Sequence, residues 1–208
     1  MNTSEMGSAL VVAVLTLTGC SSTSTAPAAK SEPEQAVASA PPVPVTAKTA
    51  FWEMYKPAHA WAADLLPLTI EAKTISGIKN EGGKAAMWES AFGSPSLKQF
   101  TKFTYAVVAH PPDIRKGVTA SNALPWAGAR QDALPFSSSD WTIDSDEAYK
   151  TALAKAEAWL EKHPGKELTT ESMGAASRFP GPVWYFLWGD KKDGFFQLVS
   201  ASTGKALK

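Results

Sequence analysis

The chain reads as an α+β protein in which an antiparallel sheet packs on helices. Three observations predict this. Two segments, near 51–66 and 144–162, carry apolar residues at helical spacing. Each is followed by runs rich in aromatic and β-branched residues, broken by Gly, Pro and Ser. The two halves also match in step. Trp88 and Trp184, Phe92 and Trp188, Gly93 and Gly189, and Phe100 and Phe196 share one spacing. Ala58-His59-Ala60-Trp61 and Ala156-Glu157-Ala158-Trp159 match at a spacing two residues larger. A helix followed by an antiparallel hairpin is therefore expected twice, as two related units.

At the N-terminus, an apolar run from Ala9 to Thr18 leads into Gly19 and Cys20. A run of about ten residues is too short to cross a bilayer core of roughly 30 Å as a helix. It has the length of the apolar region of a signal peptide. The preceding Met1–Ser8 has no Lys or Arg and carries Glu5, so translation from a different start is an open alternative. Leu17-Thr18-Gly19-Cys20 resembles the lipobox of bacterial lipoproteins. That resemblance implies cleavage between Gly19 and Cys20, with residues 1–19 removed. It implies a diacylglycerol on Cys20, palmitate-like chains included, and hence a lipid anchor in the cell envelope. Residue 21 is Ser rather than Asp, which in a Gram-negative host implies the outer membrane, facing the periplasm. Cys20 is the single cysteine, so an exported domain of this sequence has no disulfide and relies on its core.

Residues 20–48 read as the lipidated Cys and a tether. Ser, Thr, Ala, Pro, Lys and Glu dominate, with Pro27, Pro33, Pro41, Pro42 and Pro44 and no aromatic side chain. Such a segment buries too little apolar surface to offset its ordering entropy. Its prolines favour extended conformations.

The first unit is expected over 49–112. Phe51, Tyr55, Ala58, Ala62 and Leu65 line one face of a helix from Phe51 to Leu66. Pro57 kinks that helix or sits in its first turn, and Pro67 ends it. Thr69–Lys79, Ala85–Phe92 and Leu97–Ala109 read as strands, with Gly93-Ser94-Pro95-Ser96 as a turn. Residues 113–139 are a connecting segment.

The second unit is expected over 140–208. Asp144 is a natural N-cap, and Glu147 lies three residues on, as in a capping box. Ala148, Tyr149, Ala152, Ala156, Trp159 and Leu160 form an apolar stripe opposite Lys150, Lys155, Glu161 and Lys162. Pro164-Gly165 stops the helix. Leu168–Ala176 is a strand, and Pro182–Trp188 is apolar on both faces and hence central. Phe195–Ser202 is its partner, ended by Thr203-Gly204.

Three stretches of this second unit resemble the PepSY family. They are Asp140-Trp141-Thr142-Ile143-Asp144-Ser145-Asp146-Glu147-Ala148, Pro182 to Trp188, and Gly194 to Lys205 with its Thr203-Gly204-Lys205 ending. The resemblance covers about 70 residues. It reaches the first half only through the internal match. It implies a non-enzymatic binding or regulatory module that binds or inhibits a peptidase or another envelope protein, with no catalytic residue to carry over.

Composition agrees with a binding role. The formal net charge is +0 and the basic residues are scattered, which argues against nucleic acid as a partner. There is no Gly-rich phosphate loop, no Gly-x-Ser-x-Gly elbow and no spare thiol. His59, His110 and His163 stand alone without metal spacing, so neither a metal nor another cofactor is expected. Asp144, Asp146 and Glu147 fit helix capping better than a cation loop. Trp126 and Trp141 fall in irregular sequence and are the candidate binding aromatics. If exposed, they suit a peptide or, alternatively, a cell-wall glycan; the other reading is that they lid the sheet or fill the junction between the halves. The membrane, through the anchor, and an envelope protein or peptide are the expected partners. Oligomeric state is not legible.

Overall fold

The structure is a computed structural model that describes residues 42–208. Gly19, Cys20 and the tether up to residue 41 lie outside the described residues. In chain order the elements are α1 (Ala47–Trp61), β1 (Leu66–Lys73), β2 (Met87–Ser94), β3 (Gln99–Ala106), β4 (Gly117–Ala120) and β5 (Leu124–Pro125). A 3-10 turn at Ser138–Asp140 leads to α2 (Ser145–Leu160), β6 (Leu168–Gly174), β7 (Val183–Trp188), β8 (Phe195–Ser200) and β9 (Ala206–Leu207). The strands form one antiparallel sheet in the order β4-β3-β2-β1-β6-β7-β8-β9, with β5 on the outer side of β3. The fold class is thus α+β with an antiparallel sheet. Among the described residues, no helix is long and apolar enough to cross a membrane.

The two halves meet at β1 and β6, where Ile70 lies opposite Met173. They share one sheet and one core. Phe51 of α1 stacks edge-on against Trp141 at 5.2 Å, and Trp141 against Trp184 at 5.8 Å. Such aromatic pairs add to what their burial alone supplies.

Each half runs helix, then a meander of three strands. The fine register agrees too. Ala47, Ala50, Met54 and Ala58 are the buried stripe of α1 with Phe51, and Ser145, Ala148, Ala152 and Ala156 are that of α2. Both first strands carry an irregularity at the same place, Pro67/Thr69 against β2 and Leu168/Thr170 against β7. Trp88 and Trp184 are both fully buried. The Trp88 indole N–H donates to the Val45 carbonyl at 2.9 Å, and the Trp184 indole to the Ile143 carbonyl at 3.1 Å. Each acceptor lies two residues before its helix. Both indoles thus anchor the N-terminal ends of their helices.

Long-range contacts move several expected boundaries. The first helix starts at Ala47 and stops at Trp61, because Ala62 is extended. Its start is set by α2, as described below. Val45–Lys48, expected in the tether, belong to the fold: Val45 bridges Ala85, and Ala47 is fully buried. Pro57 sits inside the helix, and Pro67 lies within β1 rather than ending the helix. The turn expected at 93–96 falls at 95–98. There the Asp64 carboxylate accepts from Ser94 Oγ at 2.7 Å and Ser96 N at 2.8 Å, which holds its pKa below the usual carboxylate range. The hairpin from Trp184 to its paired residue is two residues shorter than that from Trp88. Register pairs Tyr105 with Trp88 and Val199 with Trp184, which slips the expected Phe100–Phe196 match. Part of the connecting segment is sheet, since β4 and β5 cover the outer edge of β3.

Candidate functional site

The two candidate aromatics are placed apart and neither stands free. Trp141 is only 3% exposed and its indole N–H donates to the Ile143 carbonyl at 2.8 Å. It fills the junction between the helices, against Phe51, Phe136 and Trp184. It takes the junction-filling place weighed from the sequence, and the candidate role as a surface binding residue is corrected. Polar neighbours in sequence hid a position that the fold closes. Trp126 is half-buried over Gly93, where an added Cβ would meet its ring at 2.9 Å. Gly93 is thus required by a close approach rather than by a turn. Trp126 covers β2 and is not presented as a stacking platform. The exposed aromatics are Trp52 and Phe196, at 48% and 58%.

Phe196 marks an open edge. On its outer side β8 pairs with β9 only at Leu198 and Val199. Among the described residues, Phe195–Gln197 have no ladder partner there. An edge of this kind offers unpaired backbone groups to an incoming strand. Phe196 stacks on Tyr185 with centroids 6.0 Å apart, on the sheet face away from α2. By contrast, the outer edge of β3 is covered along most of its length.

A second feature lies on the helix side. A cavity of about 630 Å³ is walled by α2, β6, β1 and the β1–β2 connection. Tyr149, Leu153, Leu160, Leu168 and Trp188 supply its apolar lining, and Glu171 is its buried acid. Glu171 is 3% exposed, and its Oε1 has no hydrogen-bond partner. Burial first, then the nearby charges of Asp144 and Asp146, push its pKa up to about 8. Tyr149 is raised as well, by burial and then by Glu171 and Glu81. Sequence reading missed Glu171. The sheet register makes the correspondence: Ile70 pairs with Ser90 on β2, and Glu171 with Phe186 at the equivalent place on β7. Where the first half buries an isoleucine, the second buries a carboxyl.

The acids beside it are structural. The Asp144 carboxylate accepts from Ser145 N at 2.7 Å and from Lys48 N of α1 at 3.0 Å. Ser145 Oγ accepts from Ala47 N at 2.9 Å and donates to the Gly83 carbonyl at 2.6 Å. One carboxylate and one hydroxyl thus cap two helix N-termini, in place of the capping box expected between Asp144 and Glu147. Gly83 allows the approach, since a Cβ there would collide with the Ser145 carbonyl, and its φ is +74°. His163 is held by the Trp159 carbonyl at 2.8 Å and stacks on the Trp159 ring.

No protein-family model, no curated protein and no solved structure matches this chain. The likeness to PepSY domains rests on the motifs quoted from the sequence.

Proposed function

We propose that this chain is a lipid-anchored lipoprotein of the bacterial envelope that acts as a non-enzymatic binding module. On this reading, cleavage before Cys20 leaves the domain tethered by a Pro-rich spacer, and its two halves are diverged copies of one PepSY-like unit. The matched indole hydrogen bonds, helix stripes and strand irregularities support the duplication. The observation that carries the binding reading is the open edge of β8 beside exposed Phe196. An extended peptide of an envelope protein adds there as a further strand, with backbone bonds giving affinity and Phe196 giving side-chain selectivity. A peptidase held or inhibited through such a strand is one partner of this kind. The glycan alternative rested on exposed Trp126 and Trp141, of which Trp141 is buried and Trp126 half-buried.

Two experiments test the proposal. Mass spectrometry of the native N-terminus is expected to show a diacylated Cys20, absent in Cys20→Ser. A soluble product cut elsewhere removes the anchor. Affinity capture from envelope extract is expected to retain a partner on the wild-type chain and to lose it with Phe196→Asp. Equal capture by both moves the partner away from this edge.

A further inference from the structure

The cavity beside α2 has the make-up of a ligand site that is separate from the β8 edge and does not depend on it. Its volume of about 630 Å³ falls in the range of small-molecule pockets. Its walls are mixed: Tyr149, Leu153, Leu160 and Trp188 supply an apolar part, and Thr74, Asn80 and Thr170 a polar one. Against them stands one carboxyl whose Oε1 is buried without a partner. Buried polar atoms are nearly always satisfied, and an exception calls for a partner. When the carboxyl is ionised, the group that satisfies it is a hydrogen-bond donor.

Charge selects among donors. From α2 and its N-cap, Asp144, Asp146 and Tyr149 face Glu171. The β1–β2 connection brings Lys79 and Glu81, and the segment before β6 brings Lys166 and Glu167. Lys166 is turned toward Asp190 and Asp193, at 4.0 and 3.4 Å. The charges that act on the carboxyl are those of Asp144 and Asp146, so a cation is favoured over a neutral donor. We propose that this cavity binds an organic ammonium ion carrying an apolar group, its N–H bonded to the Glu171 carboxylate and its apolar part against Tyr149, Leu153 and Trp188. The first half has no such site, because its corresponding position is Ile70.

Binding such a cation ionises Glu171, so a proton leaves as the ligand enters. With the free carboxyl titrating at about 8, ionised Glu171 rises from a few per cent at pH 6.5 to a majority at pH 8.5. Affinity then tightens by about twenty-fold over that interval. Calorimetry of the full domain with 2-phenylethylamine tests this. The expected result is saturable binding, release of nearly one proton per ligand at pH 6.5, and that tightening by pH 8.5. 2-Phenylethanol, the uncharged analogue, is expected to bind far more weakly. Glu171→Gln is expected to fold, to lose the proton release and to treat the two compounds alike. A blocked Phe-Lys dipeptide separates the sources of the ammonium: tighter binding than the free amine points to a peptide lysine, weaker binding to a small amine. Absence of saturable heat from both ammonium compounds, binding without proton release, or an amine preference that survives in Glu171→Gln overturns the proposal. The proton count is made on the wild-type chain and needs no variant to fold.

Discussion

Glu171 is the residue at which stability and recognition conflict. In the unfolded chain its carboxyl ionises near the ordinary glutamate value of 4.5; in the folded protein it does so at about 8. Between those values the native state holds a proton that the unfolded state does not. Stability from this group is therefore greatest below about 4.5, falls as pH rises, and is lost above about 8. We expect thermal unfolding of the wild type to drop in midpoint from pH 5 to pH 8.5, and that slope to flatten in Glu171→Gln. Glu171→Ile, which restores the residue type of Ile70, is expected to raise the midpoint, most of all at pH 8.5. A wild-type midpoint that rises with pH over this range contradicts the account. At the same scale, Asp144 closes two helices at once. Asp144→Ala is expected to cost about 1–2 kcal/mol, measured by urea unfolding, as for the loss of a strong N-cap.

At the scale of elements, the helices are joined at their N-termini before they meet the sheet. Ala47 and Lys48 have no cap within their own helix, since Thr46 makes no side-chain cap bond. Their donors reach Ser145 and Asp144. A chain beginning at residue 43 is therefore expected to keep its full melting temperature. One beginning at Thr49 loses those bonds and the Val45 carbonyl that accepts from Trp88, and is expected to melt many degrees lower. Trp88→Ala and Trp184→Ala are each expected to cost about 3–5 kcal/mol by urea unfolding, with Trp126→Ala costing much less. Local sequence made most of these elements legible. The α2 stripe, the Asp144 cap and the apolar run of β7 each declare themselves within a few residues. The start of α1 did not, because its cap comes from the other half of the chain. Trp141 was misread for the same reason: only the packing of Phe51 and Trp184 around it makes it core. Glu171 was hidden because nothing in a Thr-Glu-Ser strand says which face is buried.

At the scale of the whole molecule, the two halves join at β1 and β6 into one sheet, and a shared core runs through Phe51, Trp141 and Trp184. Fusing two meanders edge to edge protects two strand edges that each half would expose alone. The outer edge of the first half is covered by β4 and β5, whereas that of the second is left partly open at Phe195–Gln197. The same asymmetry appears inside, where Ile70 is matched by Glu171. Both differences fall on the second half, which is where binding is proposed. The most direct measurement places the photo-crosslinking amino acid p-benzoylphenylalanine at Phe196 of the full chain in living cells, with Lys150 on the exposed side of α2 as the control position. The account predicts a discrete, light-dependent adduct with an envelope protein from position 196 and none from position 150. No adduct from position 196, or the same adducts from both positions, contradicts it.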